Sequence, residues 1–334
     1  SEIAAGCEDI ASQLIHFESN LEKRYPSIDV DGIEVVLGGG AKHFLPKLTN
    51  SDLMYRGSRT DQRNLINEWK QIYGDVAFVT NASELEAVDP KRQKHIFGLF
   101  SESHMRYEAD RIKSGSNEPS LTQMTEKAIS MLKDNPNGFF LVVESGRIDH
   151  AHHANNAYNA LWDTIELSKA VKSAVNLTKP SETLVIVTSD HGHVMSIAGY
   201  PRRGNPILGK VISVGKSTPA LDKDGLPYTT IGYQNGPGFL YLGEETNADV
   251  RYSMFIDSGR HNLDQVDTEA SGFHQESQVP LSAETHSGED VVLYATGPGA
   301  HLATGTMEQS AIFHIMNYAG NLTEKARATI HKKR

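Results

Sequence analysis

The sequence predicts an α/β protein with a mainly parallel central sheet and helices on both faces. Apolar, β-branched runs of strand length alternate along the chain with stretches whose apolar residues recur at helical spacing. Three of the strand-like runs also lie beside clusters of acids and histidines, and ligand groups in open α/β folds gather where strands end. This alternation is typical of a parallel sheet covered by helices.

The elements can be placed in chain order from composition and periodicity. The predicted strands are 33–37, 76–79, 139–143, 184–188 and 291–294. The predicted helices are 8–19, 62–73, 121–132 and 152–175. Pro180 follows the last of these helices and helps to separate it from the strand at 184.

The alternation stops after residue 193. Residues 194–285 are rich in glycine, proline, aspartate, serine and threonine, and contain only short apolar runs. We therefore predict an irregular insertion at 194–285 between two core strands. The core then comprises residues 1–193, and residues 286–334 return to it and end in a helix.

A dense run of ionisable side chains follows the predicted strand at 139–143. It extends from Glu144 to His153 and reads ESGRIDHAHH. Asp149 and His153 are four positions apart, so on a helix they project from one face and can hold one cation. A solvated, histidine-rich loop is the alternative interpretation of this run taken alone.

Two further clusters make a metal site the better interpretation. Ser189–His193 reads SDHGH and follows the strand at 184–188, and Glu284–Asp290 reads ETHSGED and precedes another strand. Asp190 and His191 can offer one oxygen and one nitrogen to a zinc ion. An Asp, His, His set supplies three ligands to a catalytic zinc and leaves a position open for substrate. The sequence therefore predicts a metal site.

Composition excludes several classes of protein. The chain has 334 residues, of which 38% are hydrophobic and 22% charged, as in globular proteins. A formal net charge of −10 argues against a nucleic-acid-binding surface, because a phosphate backbone would be repelled. No run of about 18 apolar residues occurs, so we predict no transmembrane helix and membrane contact only through a lipid anchor.

Three glycosylation sequons indicate the compartment. They begin at Asn81, Asn176 and Asn321, and together they fit a secreted or cell-surface glycoprotein. The single cysteine, Cys7, is either a small buried hydrophobe or a half-cystine whose partner is missing. We expect an extracellular or cell-surface location.

Several stretches together resemble the alkaline phosphatases, most closely the secreted or lipid-anchored animal type. The resemblance is carried by CEDIASQLI at 7–15, VLGGG at 36–40, GFFLVVESGRIDHAHH at 138–153, VTSDHGHV at 187–194, GYPRRG at 199–204 and ETHSGEDV at 284–291. It implies hydrolysis of phosphate monoesters by an α/β sandwich dimer with two zinc ions and one magnesium ion in each active site.

The resemblance also implies roles for individual residues. Asp149, His153 and His286 match the ligands of the first zinc, and Asp190 and His191 match ligands of the second.

Other matches lie around these ligands. Glu144 matches a magnesium ligand, while His150 and His193 resemble residues that orient the ligands or shape the phosphate pocket. For these two histidines, ordinary loop residues are the alternative. Tyr200 matches an aromatic residue that reaches across the dimer, and the insertion at 194–285 matches the family's crown domain.

The chain departs from the family in its first part. No stretch resembles the nucleophilic serine, the phosphate-holding arginine or the aspartate that bridges the second zinc and magnesium, so the chain resembles the C-terminal two-thirds of the family. Cys7 matches a half-cystine whose partner would lie in the part without a counterpart here. A calcium site is not supported, because Ser101, between Phe100 and Glu118, replaces an acid.

Three functions remain open at this point. The first is a zinc-dependent phosphomonoesterase whose nucleophile lies outside this chain, so that the chain alone is poorly active. The second is an inactive, alkaline-phosphatase-like protein that binds metal or phosphate, and the third is a related sulfatase or phosphodiesterase. We expect the chain to form a homodimer or to pack against a complementary N-terminal fragment.

Overall fold

The computed structural model of the chain describes residues 9–26, 32–47, 55–74 and 76–332. Cys7, and with it the prediction about its disulfide partner, lies outside these ranges. The helices are α1 Ile10–Ile15, α2 Phe17–Arg24, α3 Leu65–Tyr73, α4 Ala82–Ala87, α5 Glu108–Lys113, α6 Leu121–Leu132, α7 Arg147–His153, α8 Ala157–Leu177, α9 Ala311–Gly320 and α10 Leu322–Lys332. Short 3-10 helices occupy Ala41–His43, Ala248–Ser253 and Ala300–Leu302.

The strands are mostly short. They are β1 Val35–Gly38, β2 Val76–Val79, β3 His95–Leu99, β4 Val185–Val187, β5 Gly192–His193, β6 Met195–Ile197, β7 Ile231–Gly236, β8 Leu240–Tyr241, β9 Phe273–His274, β10 Ser277–Pro280, β11 His286–Ser287 and β12 Tyr294–Thr296.

The first part of the chain forms a parallel sheet with helices on both faces, as predicted. Its strand order is β1-β3-β2, and both pairings are parallel. Adjacent side chains of a strand point to opposite faces, so Ile96 and Phe97 of β3 enter different cores. Phe97 packs with Trp69 of α3 on one face, while Ile96 packs with Leu85 of α4 on the other.

Helix α8 supports the helix that carries the candidate site. It contacts α5, α6 and α7 along its length. The predicted single helix at 152–175 is wrong, because the chain breaks between α7 and α8. Asn155 adopts a left-handed conformation with φ of 55°, and the Asn156 side chain accepts the backbone N–H of Asn159 to begin α8.

The strand predicted at 139–143 is also wrong. This segment forms no ladder with any part of the chain that the structure describes, and Phe140 and Val142 are 64% and 74% exposed. The predicted strand at 184–188 is confirmed as β4, which pairs antiparallel with β12. The strand predicted at 291–294 is displaced to β12. An apolar run indicates that a segment can form a strand, but it does not identify the strand with which that segment pairs.

Residues 194–285 contain a small sheet of order β10-β7-β6 surrounded by irregular chain. Strand β7 pairs parallel with β10 and antiparallel with β6. Phe273 and Leu263 are fully buried within this stretch. The division of the chain into a core and an insertion stays a prediction.

The buried carboxyl of Asp163 predicts a pH-dependent stability. Burial raises its pKa from 3.8 to about 7; the Glu108 backbone N–H and Arg147 oppose the increase, while the Glu108 and Asp110 carboxylates add to it. Between these values the unfolded chain ionises this carboxyl and the folded chain does not, so stability is lost as pH rises.

We expect Asp163→Asn to gain stability relative to the unsubstituted chain as pH increases from 5 to 8, by at most roughly 1.4 kcal/mol per pH unit. Urea unfolding in the presence of a chelator measures this difference. Asp224→Asn, which changes an exposed acid, is the control and should show no such trend. An equal effect of Asp163→Asn at both pH values would contradict the prediction.

Candidate metal centre

Helix α7 places two of the predicted ligands on one face. Asp149 and His153 are separated by one helical turn, and Asp149 Oδ2 lies 3.3 Å from His153 Nε2. The helix is followed directly by the break at Asn155, so His153 stands at its C-terminal end. The turn therefore directs a carboxylate and an imidazole towards the same point.

A two-residue ladder brings in the third predicted ligand. Strand β11 pairs antiparallel with β5, which sets His286 opposite His193. His286 Nε2 then lies 3.2 Å from His153 Nε2 and 3.4 Å from Asp149 Oδ1. The structure thus brings Asp149, His153 and His286 together, although 133 positions separate the two histidines.

Each pair of these three groups has ligand atoms close enough to share one metal ion. Ligands about 2.0–2.2 Å from one zinc ion in tetrahedral geometry stand about 3.3–3.6 Å from each other. The two Nε2 atoms of His153 and His286 are 3.2 Å apart. His153 Nε2 lies 3.3 Å from Asp149 Oδ2, and His286 Nε2 lies 3.4 Å from Asp149 Oδ1. The donor set of one carboxylate and two imidazoles is also one that zinc accepts in catalytic sites.

The hydrogen bond of His153 is made by Nδ1, which leaves Nε2 for the other groups of the cluster. His153 Nδ1 lies 2.6 Å from the backbone carbonyl oxygen of Glu284. A carbonyl oxygen only accepts, so Nδ1 carries a proton, and Nε2 is the nitrogen that faces Asp149 and His286. Histidines that bind metals are commonly held in this way.

Asp190 and His191 lie beside the first three groups. His191 stacks on His286 with ring centroids 3.5 Å apart, and its Nε2 lies 3.9 Å from Asp149 Oδ1 and 3.4 Å from Asp190 Oδ2. The Asp190 side chain is 80% exposed. A carboxylate and an imidazole are therefore adjacent here, on the open side of the cluster.

His193 connects the cluster to a carboxylate that sequence reasoning did not single out. Its Nε2 lies 3.1 Å from Asp149 Oδ1, and its Nδ1 lies 2.6 Å from Glu284 Oε2. Burial lowers the pKa of His193, but the Glu284 and Asp149 carboxylates outweigh burial and raise it overall. Glu284 is one of several acids in the ETHSGED run, and nothing in the sequence of that run indicates that one of them is buried.

Two overlapping groups of ligand atoms result among the described residues. One comprises Asp149, His191, His193 and His286, and the other comprises His153, His193 and Glu284. His193 belongs to both groups, whereas Asp149 and His286 belong only to the first and His153 only to the second.

His150 faces a different set of side chains. Its Nδ1 accepts an N–H of Arg147 at 2.7 Å, and its ring meets His104 with centroids 4.4 Å apart. Burial, together with Arg147 and His104, lowers the pKa of His150. Arg147 also pairs with Asp249 at 2.7 Å. The role predicted for His150 as an orienting residue stays a prediction.

Other predicted residues lie away from the cluster. Glu144 is exposed and belongs to neither group of ligand atoms in the described ranges. Tyr200 is 94% exposed. Asn176 and Asn321 are exposed, whereas Asn81 is partly buried and its side-chain oxygen caps the N-terminus of α4.

The region considered for calcium is occupied by an ion pair. The Glu118 carboxylate accepts the backbone N–H of Arg106 at 2.9 Å and pairs with its guanidinium at 2.5 Å. Ser101 donates to the backbone oxygen of His104. The Glu118 carboxylate is therefore already engaged by an arginine.

Comparison with known proteins assigns the chain to a family. The sequence pattern of the alkaline phosphatases matches residues 2–322. The chain belongs to the alkaline phosphatase family. It is 40% identical over 326 residues to the tissue-nonspecific alkaline phosphatase of Felis catus, and 41% identical over 326 residues to that of Gallus gallus.

Both alignments cover 95% of this chain but only 56% of each relative. The chain therefore spans a little over half the length of these alkaline phosphatases.

Solved alkaline phosphatases share the fold. The structure of the Thermus thermophilus enzyme has a TM-score of 0.60 and 23% identity, and the match covers 97% of this chain and 69% of that one. The enzyme from Shewanella sp. has a TM-score of 0.52 and 19% identity, with 94% and 67% covered. The predicted fold class is confirmed. None of the helices in the described ranges combines the length and apolar character that a membrane crossing requires.

Proposed function

We propose that this chain provides the zinc-binding part of a secreted or cell-surface alkaline phosphatase that hydrolyses phosphate monoesters. Asp149, His153 and His286 are the ligands of the first zinc in this proposal. The observation that carries it is that each pair of these residues has ligand atoms 3.2–3.4 Å apart, with His153 Nε2 facing the other two. Membership of the alkaline phosphatase family supports the substrate class.

The second zinc and the magnesium are proposed from neighbouring residues and motifs. Asp190 and His191 are adjacent and can serve a second zinc beside the first. Glu144 is proposed for magnesium on its motif alone, since it lies apart from both groups of ligand atoms. Zinc, when bound, supplies positive charge that stabilises a developing negative oxygen and acidifies a bound water or alcohol.

The side chains of the centre divide their work by position. Asp149, His153 and His286 offer one carboxylate and two imidazoles on the accessible side. His193 lies behind Asp149, where its hydrogen bond orients the carboxylate. Arg147 pairs with Asp249 and donates to His150. Because its guanidinium already has these partners within the protein, we assign it no contact with phosphate.

We place the nucleophile and the phosphate-holding arginine outside this chain. Two observations support this proposal: no motif of the chain resembles those groups, and the chain spans 56% of the length of its animal relatives. Removing a nucleophile leaves only residual electrostatic and metal-based catalysis. Ser145 and Ser189 are the nearby hydroxyls to which we assign no nucleophilic role.

Phosphate binding and turnover test the proposal separately. We expect the zinc-loaded chain to bind inorganic phosphate in calorimetry and to lose this binding when zinc is removed. We also expect it to hydrolyse 4-nitrophenyl phosphate very slowly. Absence of zinc-dependent phosphate binding would contradict the proposed function, while rapid turnover by chain of verified mass would show that a residue within it acts as nucleophile.

Residues 194–285 and Tyr200 are proposed to form a dimer contact. The exposed Tyr200 ring supports this, because a large aromatic side chain left in water favours an interface. We expect the chain to sediment as a symmetric homodimer at micromolar concentration, and Tyr200→Ala to weaken association by at least about tenfold. Tyr158→Ala, which changes a partly buried tyrosine of α8, is the control.

A monodisperse monomer, with no co-purifying polypeptide, would contradict both the homodimer and the complementary fragment. The exposed apolar segment at 139–143 is where we propose that such a fragment would pack.

The three sequons support the proposed compartment to different degrees. Asn176 and Asn321 are accessible for glycan attachment. The side-chain oxygen of Asn81 accepts the backbone N–H of Glu84 at 2.9 Å, which leaves its amide nitrogen for modification. We propose that all three are glycosylated.

A further inference from the structure

The Glu284 carboxylate is buried directly behind the candidate metal centre. Its side chain is 0% exposed. Oε2 lies 2.6 Å from His193 Nδ1, and Oε1 accepts the backbone N–H of Val194 at 2.6 Å. Each oxygen thus already accepts one short hydrogen bond, and the carboxylate faces the protein rather than the accessible side. A buried carboxylate is costly without such partners, so this position is specifically compensated.

The backbone of the same residue holds His153. The Glu284 N–H donates to the His153 carbonyl oxygen at 2.9 Å, and the Glu284 carbonyl accepts His153 Nδ1–H at 2.6 Å. His286 follows only two positions later. Glu284 therefore contacts His193 and His153 and lies two positions before His286.

We propose that Glu284 is a positioning residue that links metal affinity to the docking of residues 194–285. Through His193 it orients Asp149, and through its backbone it orients His153. Its carboxylate also joins Val194, the first residue of that stretch, to residue 284 near its end. The inference rests on the proposed zinc site, and it adds a role that neither the motifs nor the family comparison assigns to Glu284.

Linkage gives the proposal a consequence that packing alone does not. If ordered ends of residues 194–285 are needed to hold the ligands, zinc must in turn stabilise those ends by the same free energy. Zinc should therefore protect this stretch from proteolysis in the unsubstituted chain. Without the Glu284 carboxylate, zinc binding and protection should become independent.

Zinc affinity and proteolysis of the full chain test the proposal. Loss of a group that orients metal ligands typically weakens metal binding 10–100-fold. We expect Glu284→Gln and Glu284→Ala to weaken zinc binding by that factor in chelator competition. Zinc should slow cleavage within 194–285 in the unsubstituted chain and have little effect in either variant.

The matched control is Glu166→Gln. Glu166 is also a buried carboxylate that accepts a backbone N–H, from Thr122 at 3.1 Å, but it lies on α8 away from the centre. Its substitution should leave zinc affinity unchanged even if it lowers stability. Circular dichroism establishes that each variant folds. If the Glu284 variants fail to fold, His193→Gln removes the hydrogen bond between His193 and Glu284 from the histidine side. This variant should weaken zinc binding by a similar factor.

The outcomes separate this inference from the proposed function. If folded Glu284 and His193 variants bind zinc as tightly as the unsubstituted chain, or zinc still protects residues 194–285 in the Glu284 variants, the positioning role is wrong while the zinc site stands. If the unsubstituted chain binds no zinc, the proposed function fails and this inference fails with it.

Discussion

Replacing Asp149 by asparagine is expected to weaken zinc binding by at least about 100-fold, more than any substitution behind the ligands. Asp149 is the central group of the cluster. Its two oxygens lie 3.3 Å from His153, 3.4 Å from His286 and 3.1 Å from His193. Asparagine keeps the shape of the side chain but removes the negative charge that attracts the metal ion.

Chelator competition with the Asp149→Asn variant measures this effect. Asp224→Asn removes the same charge from an exposed loop, and its zinc affinity should equal that of the unsubstituted chain. An Asp149→Asn variant that keeps its zinc affinity would mean that the metal, if bound, lies elsewhere.

Zinc is expected to raise the thermal stability of the chain markedly. The His153 and His286 nitrogens and the Asp149 carboxylate lie 3.2–3.4 Å apart in pairs, so a zinc ion bound here joins α7 to β11. Free zinc at 1,000 times its dissociation constant stabilises the folded state by about 4 kcal/mol. For a chain of this size that corresponds to an increase in melting temperature of about 6 °C.

Differential scanning calorimetry with zinc and with a chelator measures the shift. His286→Ala should abolish most of it, because a ligand is lost at the accessible edge of the cluster. His301→Ala changes an exposed histidine outside the cluster and should retain the full shift. An equal shift in both variants would indicate non-specific binding of zinc.

The local part of the site was predictable from sequence. Asp149 and His153 are separated by one helical turn, so their convergence needed only α7 to form. His286 required more, because 133 positions separate it from His153. Its inclusion came from the acid and histidine clusters beside predicted strands and from the family resemblance, and the β5–β11 ladder places it there.

The predictions failed where the outcome depends on a distant partner. The apolar run at 139–143 has the composition of a strand, but no described segment pairs with it. The break between α7 and α8 depends on the left-handed Asn155, whose carbonyl accepts the backbone N–H of Gln275. A local pattern does not encode such contacts.

Glu284 shows the same limit at the site itself. In the sequence it is one acid among several near His286. Only the folded chain buries it and gives it His193 and Val194 as partners. Conversely, His150 lies beside Asp149 in sequence, but its ring contacts Arg147 and His104. Proximity along the chain therefore identified the neighbourhood of the site more reliably than the contacts of each side chain.

We propose that Asp149, His153 and His286 hold one zinc ion. Crystals of the zinc-loaded chain, measured on both sides of the zinc absorption edge, test it directly. We predict an anomalous peak about 2.0–2.2 Å from a carboxylate oxygen of Asp149 and from the Nε2 atoms of His153 and His286. No peak at this point, or a zinc ion bound by other residues, would contradict the proposed zinc site.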